Sequence, residues 1–136
     1  MRKILVSLFV ALSVVVVAAY AEVTSIKQDM MEIEKMAKSI KATVNDPAQN
    51  QQNAVYANQI ALLLQANLQK VPEILNKWPE DQRPAVWQNY QQHIQYAMGL
   101  AVQIQTSLQN NDNATAAAYI KALFEAKENS HQTYNP

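Results

Sequence analysis

An all-α fold, an antiparallel up-down-up-down four-helix bundle, is what this sequence predicts, and three observations carry the expectation. Gly99 is the only glycine in 136 residues, and no stretch sustains the apolar–polar alternation of a strand. Apolar residues instead recur at three- and four-residue intervals in four windows, one stripe for each helix. Clusters rich in Asn, Asp and Pro separate the windows, and such connections between four similar helices favour antiparallel neighbours.

The chain opens with a segment of another kind. Arg2 and Lys3 precede an almost unbroken apolar run from Ile4 to Val17, and Ala19-Tyr20-Ala21 then supplies a small-x-small site. This is the pattern of a secretory signal peptide over residues 1–21, cleaved to leave one domain over residues 22–136. The run is short for a membrane-spanning helix. Export to the bacterial periplasm is the expectation.

The first helix starts at Thr24 or Ser25, where Gln28 completes a capping box with Ser25. Ile26, Met30, Ile33, Ala37, Ile40 and Val44 form its seam, as in a packed bundle. Asn45-Asp46-Pro47 closes it. Asp46 caps the next helix, and Pro47 takes the first position, where a missing N–H costs nothing.

Helix two runs from about Pro47 to Lys70 and turns Ala57, Ile60, Ala61, Leu64, Leu68 and Val71 inward. Pro72 ends it. Residues 73–83 form a connector with one helical turn at 73–77, its Ile74, Leu75 and Trp78 folding back over the bundle's end. Helix three begins near Pro84 and has the cleanest seam: Trp87, Tyr90, Ile94, Ala97, Ala101, Ile104 and Leu108. Asn110-Asn111-Asp112-Asn113 is a turn in which Asp112 or Asn113 caps helix four. That helix runs from about Ala114 to Tyr134 with Ala117, Ile120, Phe124, Lys127, His131 and Tyr134 on its seam.

Composition narrows the function. Without residues 1–21, which hold Arg2 and Lys3 and no acid, the formal net charge falls from 0 to −2. With no basic stripe, nucleic acid and anionic membrane are not expected partners, and a monomer without membrane attachment after cleavage is. There is no cysteine, so stability rests on the core or on a bound cofactor. Two histidines, no thiol and no glycine-rich loop leave no zinc cluster and no phosphate cradle, and an enzyme is not expected.

Two inward positions on helix four are polar. Lys127 can extend its ammonium to water past an apolar stem, whereas a buried His131 needs a partner. In an up-down-up-down bundle the start of helix one and the end of helix four share one end. Met30 lies about six residues into helix one, roughly 9 Å along the axis, and His131 lies near the end of helix four, so their heights agree within about a turn. A thioether and an imidazole together can hold a haem iron. Trp87, Tyr90, Ile94, Leu68 and Val71 fall at the same end as walls of a slot. Met31, the fallback ligand if helix one is rotated by one residue, Met36 and Met98 read as core filler. His93 flanks the helix-three seam and is not an expected ligand.

Two windows resemble the cytochrome b562 family of small periplasmic haem proteins. Ile26-Lys27-Gln28-Asp29-Met30, followed by Ile33, is similar to the segment that supplies the family's axial methionine. Ala126-Lys127-Glu128-Asn129-Ser130-His131-Gln132-Thr133-Tyr134 is similar to the segment around its axial histidine. Outside these two windows the chain agrees with the family in pattern only. The chain departs from the family in its longer, Trp-containing connector, in Lys127 where an arginine is usual, and in its Asn135-Pro136 ending.

The resemblance implies the same antiparallel bundle and one non-covalent haem b (iron protoporphyrin IX), with Met30 and His131 on the iron and Ile33, Tyr90, Ile94, Phe124 and Lys127 around the ring. Covalent attachment is not expected, because Lys127-x-x-Ser130-His131 stands where Cys-x-x-Cys-His would be required. Two protein ligands leave no open coordination site, so one-electron transfer with redox protein partners is the expected role. The alternative is a haem-free periplasmic helical binding module, a chaperone or stress adaptor, to which the apolar 74–78 connector would suit itself.

Overall fold

The computed structural model describes residues 25–134. The expected signal segment and Asn135-Pro136 lie outside the described residues. Among those described there are four α-helices and no strand: α1 (Ile26–Thr43), α2 (Asn50–Asn67), α3 (Arg83–Gln109) and α4 (Asn113–Tyr134). They form a four-helix bundle, and no described helix is long and apolar enough to cross a membrane.

Helix boundaries follow the local chemistry. The Ser25 hydroxyl accepts from the Gln28 N–H while the Gln28 side chain accepts from the Ser25 N–H, so the capping box is complete. Asp46 accepts from the Ala48 N–H, as a cap should, but the segment it opens is a single 3₁₀ turn, Pro47–Gln49, ahead of α2. α2 ends at Asn67, one turn before Lys70. Val71 is therefore 61% exposed, not inward, because the chain leaves the helix before its seam reaches that position. The turn expected in the connector is the 3₁₀ segment Glu73–Lys77, with Leu75 buried and Ile74 and Trp78 half-buried. The Arg83 side chain ties the connector back by donating to the carbonyls of Trp78 and Asn76.

The α3–α4 turn depends on one backbone conformation. Asn111 has φ 56°, and around it the Asp112 N–H donates to the Ser107 carbonyl and the Asn111 N–H to the Leu108 carbonyl. This is a Schellman ending with asparagine in the left-handed position that glycine usually takes. Asp112 then caps α4, accepting from the backbone N–H and hydroxyl of Thr115. These bonds, the hydroxyl's first, hold its carboxyl below the usual aspartate range.

The core is aliphatic and continuous. Ile40, Ile60, Ile104 and Leu108 are the largest apolar side chains with essentially no exposure, and Ile33, Leu64, Ile94, Ile120 and Leu123 extend the cluster along the bundle. At the turn end, Asn50 donates to the side-chain oxygens of Asn111 and Asn113, while Asn113 donates to the Val44 carbonyl and to Asn50. The end of α1, the start of α2 and the start of α4 are thereby knotted together. α2 and α3 share the most extensive interface, and α1 and α4 the thinnest of the neighbouring pairs.

Asn111 allows a controlled test of the turn. Asn111→Gly and Asn111→Ala both remove its bond from Asn50, so the difference between them isolates the left-handed backbone. The alanine variant should be less stable than the glycine variant by about 1 kcal/mol in urea unfolding. Equal midpoints would show that the turn relaxes out of this conformation.

Candidate functional site

The site builds up from the first turn of α1. Asp29 falls on the same three- and four-residue spacing as Ile26, Ile33, Met36 and Ile40, and it is buried with the last three of these. Its carboxylate accepts from the Asn67 amide at 2.8 Å and from the Lys70 ammonium at 2.8 Å. Asn67 is itself fully buried and also donates to the Leu63 carbonyl, while its own Oδ1 has no hydrogen bond. Beside Asp29, Met30 packs half-buried against the core, whereas Met31 is 62% exposed and is not core filler.

Contacts then lead round the same end of the bundle. Gln91 of α3 donates to the Leu68 carbonyl at the end of α2. His93 Nδ1 lies 2.9 Å from Ser130 Oγ of α4, and the Tyr134 hydroxyl donates to Asn89. Rings fill the space between these bonds. Trp87 stacks on Tyr90 at 5.8 Å, and the edges of Tyr90 and His93 meet Tyr134 at 5.6 and 5.5 Å. Burial raises the Tyr90 phenol above the ordinary tyrosine range, with the neighbouring Tyr134 adding to it, and burial raises Tyr134 as well. Both hydroxyls are neutral at any physiological pH.

The expected site residues divide into two groups. Ile33 and Ile94 are buried, and Tyr90 and Phe124 are half-buried against the core, as their seams require. His131 is exposed, and so is Lys127, contrary to the inward phase expected for both. The buried line of α4 passes through Ala116, Ile120, Leu123 and Tyr134, with Ser130 half-buried beneath His93. The reason is physical: α4 is so rich in alanine that the lines through Ala116 and Ala117 are equally apolar. Leu123 and a hydrogen-bonded serine are then easier to bury than a lysine and an unpaired imidazole.

Long side chains bridge the thin α1–α4 interface. Lys127 reaches Glu34 at 3.1 Å, Lys38 meets the same carboxylate at 2.8 Å, and the Lys41 ammonium sits 4.8 Å over the Phe124 ring. Hydrogen bonds from Lys38 and Lys127, followed by their charges, lower the Glu34 carboxyl to about 2. All three charged groups are well exposed, so this latch is weak.

The arrangement links Asp29, Gln91 and the hydrogen-bonded His93 with a stack of aromatic rings, and His131 is exposed one residue beyond Ser130. No protein-family model, curated protein or solved structure matches this chain. The resemblance to the cytochrome b562 family therefore stands on its two terminal windows. Sequence reasoning missed Asp29, Asn67 and Lys70; the signal available was that Asp29 shares the spacing of the buried isoleucines.

Two measurements follow. Asp29→Ala should cost about 1–3 kcal/mol in urea unfolding, because buried Asn67 loses its acceptor while Lys70 can swing to water. A change within about 0.5 kcal/mol, typical of ordinary surface positions, would show that Asp29 is not fixed by this pair. For Glu34 the folded pKa lies below the unfolded value near 4.5, so its contribution is complete above 4.5 and fades as pH falls toward about 2. Glu34→Gln should lower the urea midpoint slightly at neutral pH and match the parent by about pH 2. A gap that persists at that pH would place the loss outside the carboxylate.

Proposed function

We propose that this chain is a periplasmic electron-transfer protein that binds one non-covalent b-type haem, in an antiparallel up-down-up-down bundle, with the Met30 sulfur and the His131 imidazole as its axial ligands. One observation carries the reading. The bonds Asp29–Asn67, Gln91–Leu68 and His93–Ser130 link the start of α1, the end of α2, the start of α3 and the end of α4. Met30 and His131 therefore belong to the same end of the bundle.

The donor set fits the group. A thioether and a neutral imidazole add no charge to the iron, and that ligand pair favours a raised reduction potential. When bound, haem would supply a one-electron iron couple. Ile33, Tyr90 and Ile94 would give it apolar contact, with Phe124 beside them on α4. Lys127 would stand near the rim, free to exchange Glu34 for another anionic group. The thin α1–α4 interface, bridged at its surface by flexible lysine side chains, is the natural point of entry between the two ligand-bearing helices.

A second reading has its own observation. His131 is exposed, and Ser130, His93 and Tyr134 complete a self-contained packing at this end. That arrangement favours a haem-free helical binding module.

Titration of the purified protein with haemin separates the two. The haem reading expects saturable binding with the visible spectrum of a six-coordinate low-spin iron, lost in His131→Ala and altered in Met30→Ala but not in Met31→Ala. Haem that binds only the folded state should also raise stability by about 4 kcal/mol at a thousandfold excess over Kd. Equal thermal midpoints with and without saturating haemin would overturn the reading in favour of the haem-free module.

A further inference from the structure

The charges of this molecule are segregated by helix. From Pro47 to Gln69 and from Pro84 to Asn111 there is no Asp, Glu, Lys or Arg, so α2 and nearly all of α3 are uncharged apart from His93. These two helices are also the pair packed most extensively together. Their outward surface carries three exposed aliphatic side chains: Val55 and Leu62 on α2 and Val102 on α3, at 46, 55 and 44% exposure. Val55 and Leu62 are seven residues apart, two turns along one line of α2. Between the helices lies a shallow groove of about 380 Å³ lined mainly by amides and aliphatics, among them Gln51, Val55, Asn58 and Gln105.

We propose that this α2–α3 face is a self-association surface whose occupant is a second copy of the chain. The argument is one of charge. In a two-fold dimer each surface meets itself, so near the axis every group lies opposite its own counterpart. A face with charge of one sign then repels itself, whereas an amide, which both donates and accepts, can pair with another amide. The α2–α3 face satisfies this condition, and the charged α1 and α4 do not satisfy it as well. Partners recognised through charge are disfavoured at the same place. Nucleic acid and anionic lipid need cations, and a charged protein would select the lysines and carboxylates of α1 and α4.

The available area is sufficient. Helices of 18 and 27 residues extend roughly 27 and 40 Å, and two packed side by side span roughly 20 Å. The face is then on the order of 600–800 Å², near the ~800 Å² per partner of a standard interface. The aliphatic side chains would be its dry centre and the Asn and Gln side chains its rim. This inference is independent of haem, since Met30 and His131 belong to α1 and α4.

The test is sedimentation of the purified protein over a range of concentrations at low and high salt. A reversible species of twice the monomer mass, equally populated at both ionic strengths, is expected. Leu62→Glu and Val102→Glu should keep their helical circular dichroism and weaken dimerisation on the order of a hundredfold, because the new charge faces itself across the axis. Should either variant fail to fold, a thiol probe answers the question. With no native cysteine, Asn58→Cys should form a disulfide-linked dimer on mild oxidation, and Glu32→Cys on α1 should do so far more slowly. A monomer at every concentration, a dimer abolished by salt, or equal cross-linking at both positions would overturn the proposal.

Discussion

The buried carboxylate of Asp29 fixes the rotational phase of α1, and much of the Met30 end depends on that phase. A carboxylate with 2% exposure is tolerable only where donors await it. They stand at one place, where α2 ends and offers the Asn67 amide and the Lys70 ammonium. Turning α1 by one residue would carry Asp29 away from both and leave Asn67 buried without its acceptor. Apolar seams alone do not enforce such precision, because an isoleucine accepts several packings of similar energy. Hydrogen bonding to a buried charge does, and it holds Met30 against the core while Met31 faces water.

The opposite end is held in a different way. There Asn50, Asn111 and Asn113 share hydrogen bonds with one another and with the Val44 carbonyl, and no charge takes part. Neutral amides are less costly to bury than ions, and each supplies both donor and acceptor. The same chemistry extends along the outside of α2 and α3, where Gln and Asn take the places that Lys and Glu occupy in most helices. Without i,i+4 ion pairs to support them, these helices rely on the aliphatic core and on their own mutual packing. α1 and α4 carry the ion pairs and cross-interface cations instead, and they share the thinnest interface.

Legibility in the sequence varied with what fixes each feature. Helix number, the Ser25 box, the Asp46 cap, the turn at residues 73–77 and the seam of α3 were readable because each rests on a local pattern. The end of α2 was read a turn too far, since Leu68 and Val71 continue its spacing although the chain departs after Asn67. The phase of α4 failed for a related reason. Its alanines give two equally apolar lines, and tertiary partners absent from the local sequence decide between them: His93 for Ser130, and Asn89 for Tyr134. Trp87, Tyr90 and Ile94 keep the spacing expected of the α3 seam, half-buried or buried, whereas Val71 is exposed. The imidazole facing inward belongs to His93, not His131.

That exchange gives the proposed ligation a definite energetic condition. Bringing His131 inward in place of Ser130 is a shift of one residue, or about 100° of rotation, over the last turns of α4. It would break the His93–Ser130 and Tyr134–Asn89 bonds, together worth about 1–3 kcal/mol net. Opening the exposed Glu34–Lys127 latch adds little. Against this stands the burial of a flat apolar ring of several hundred Å², which at ~25 cal/mol/Å² amounts to several kcal/mol before any bond to iron forms. The balance favours rearrangement, and the helix that must turn is the one with the thinnest contact to α1.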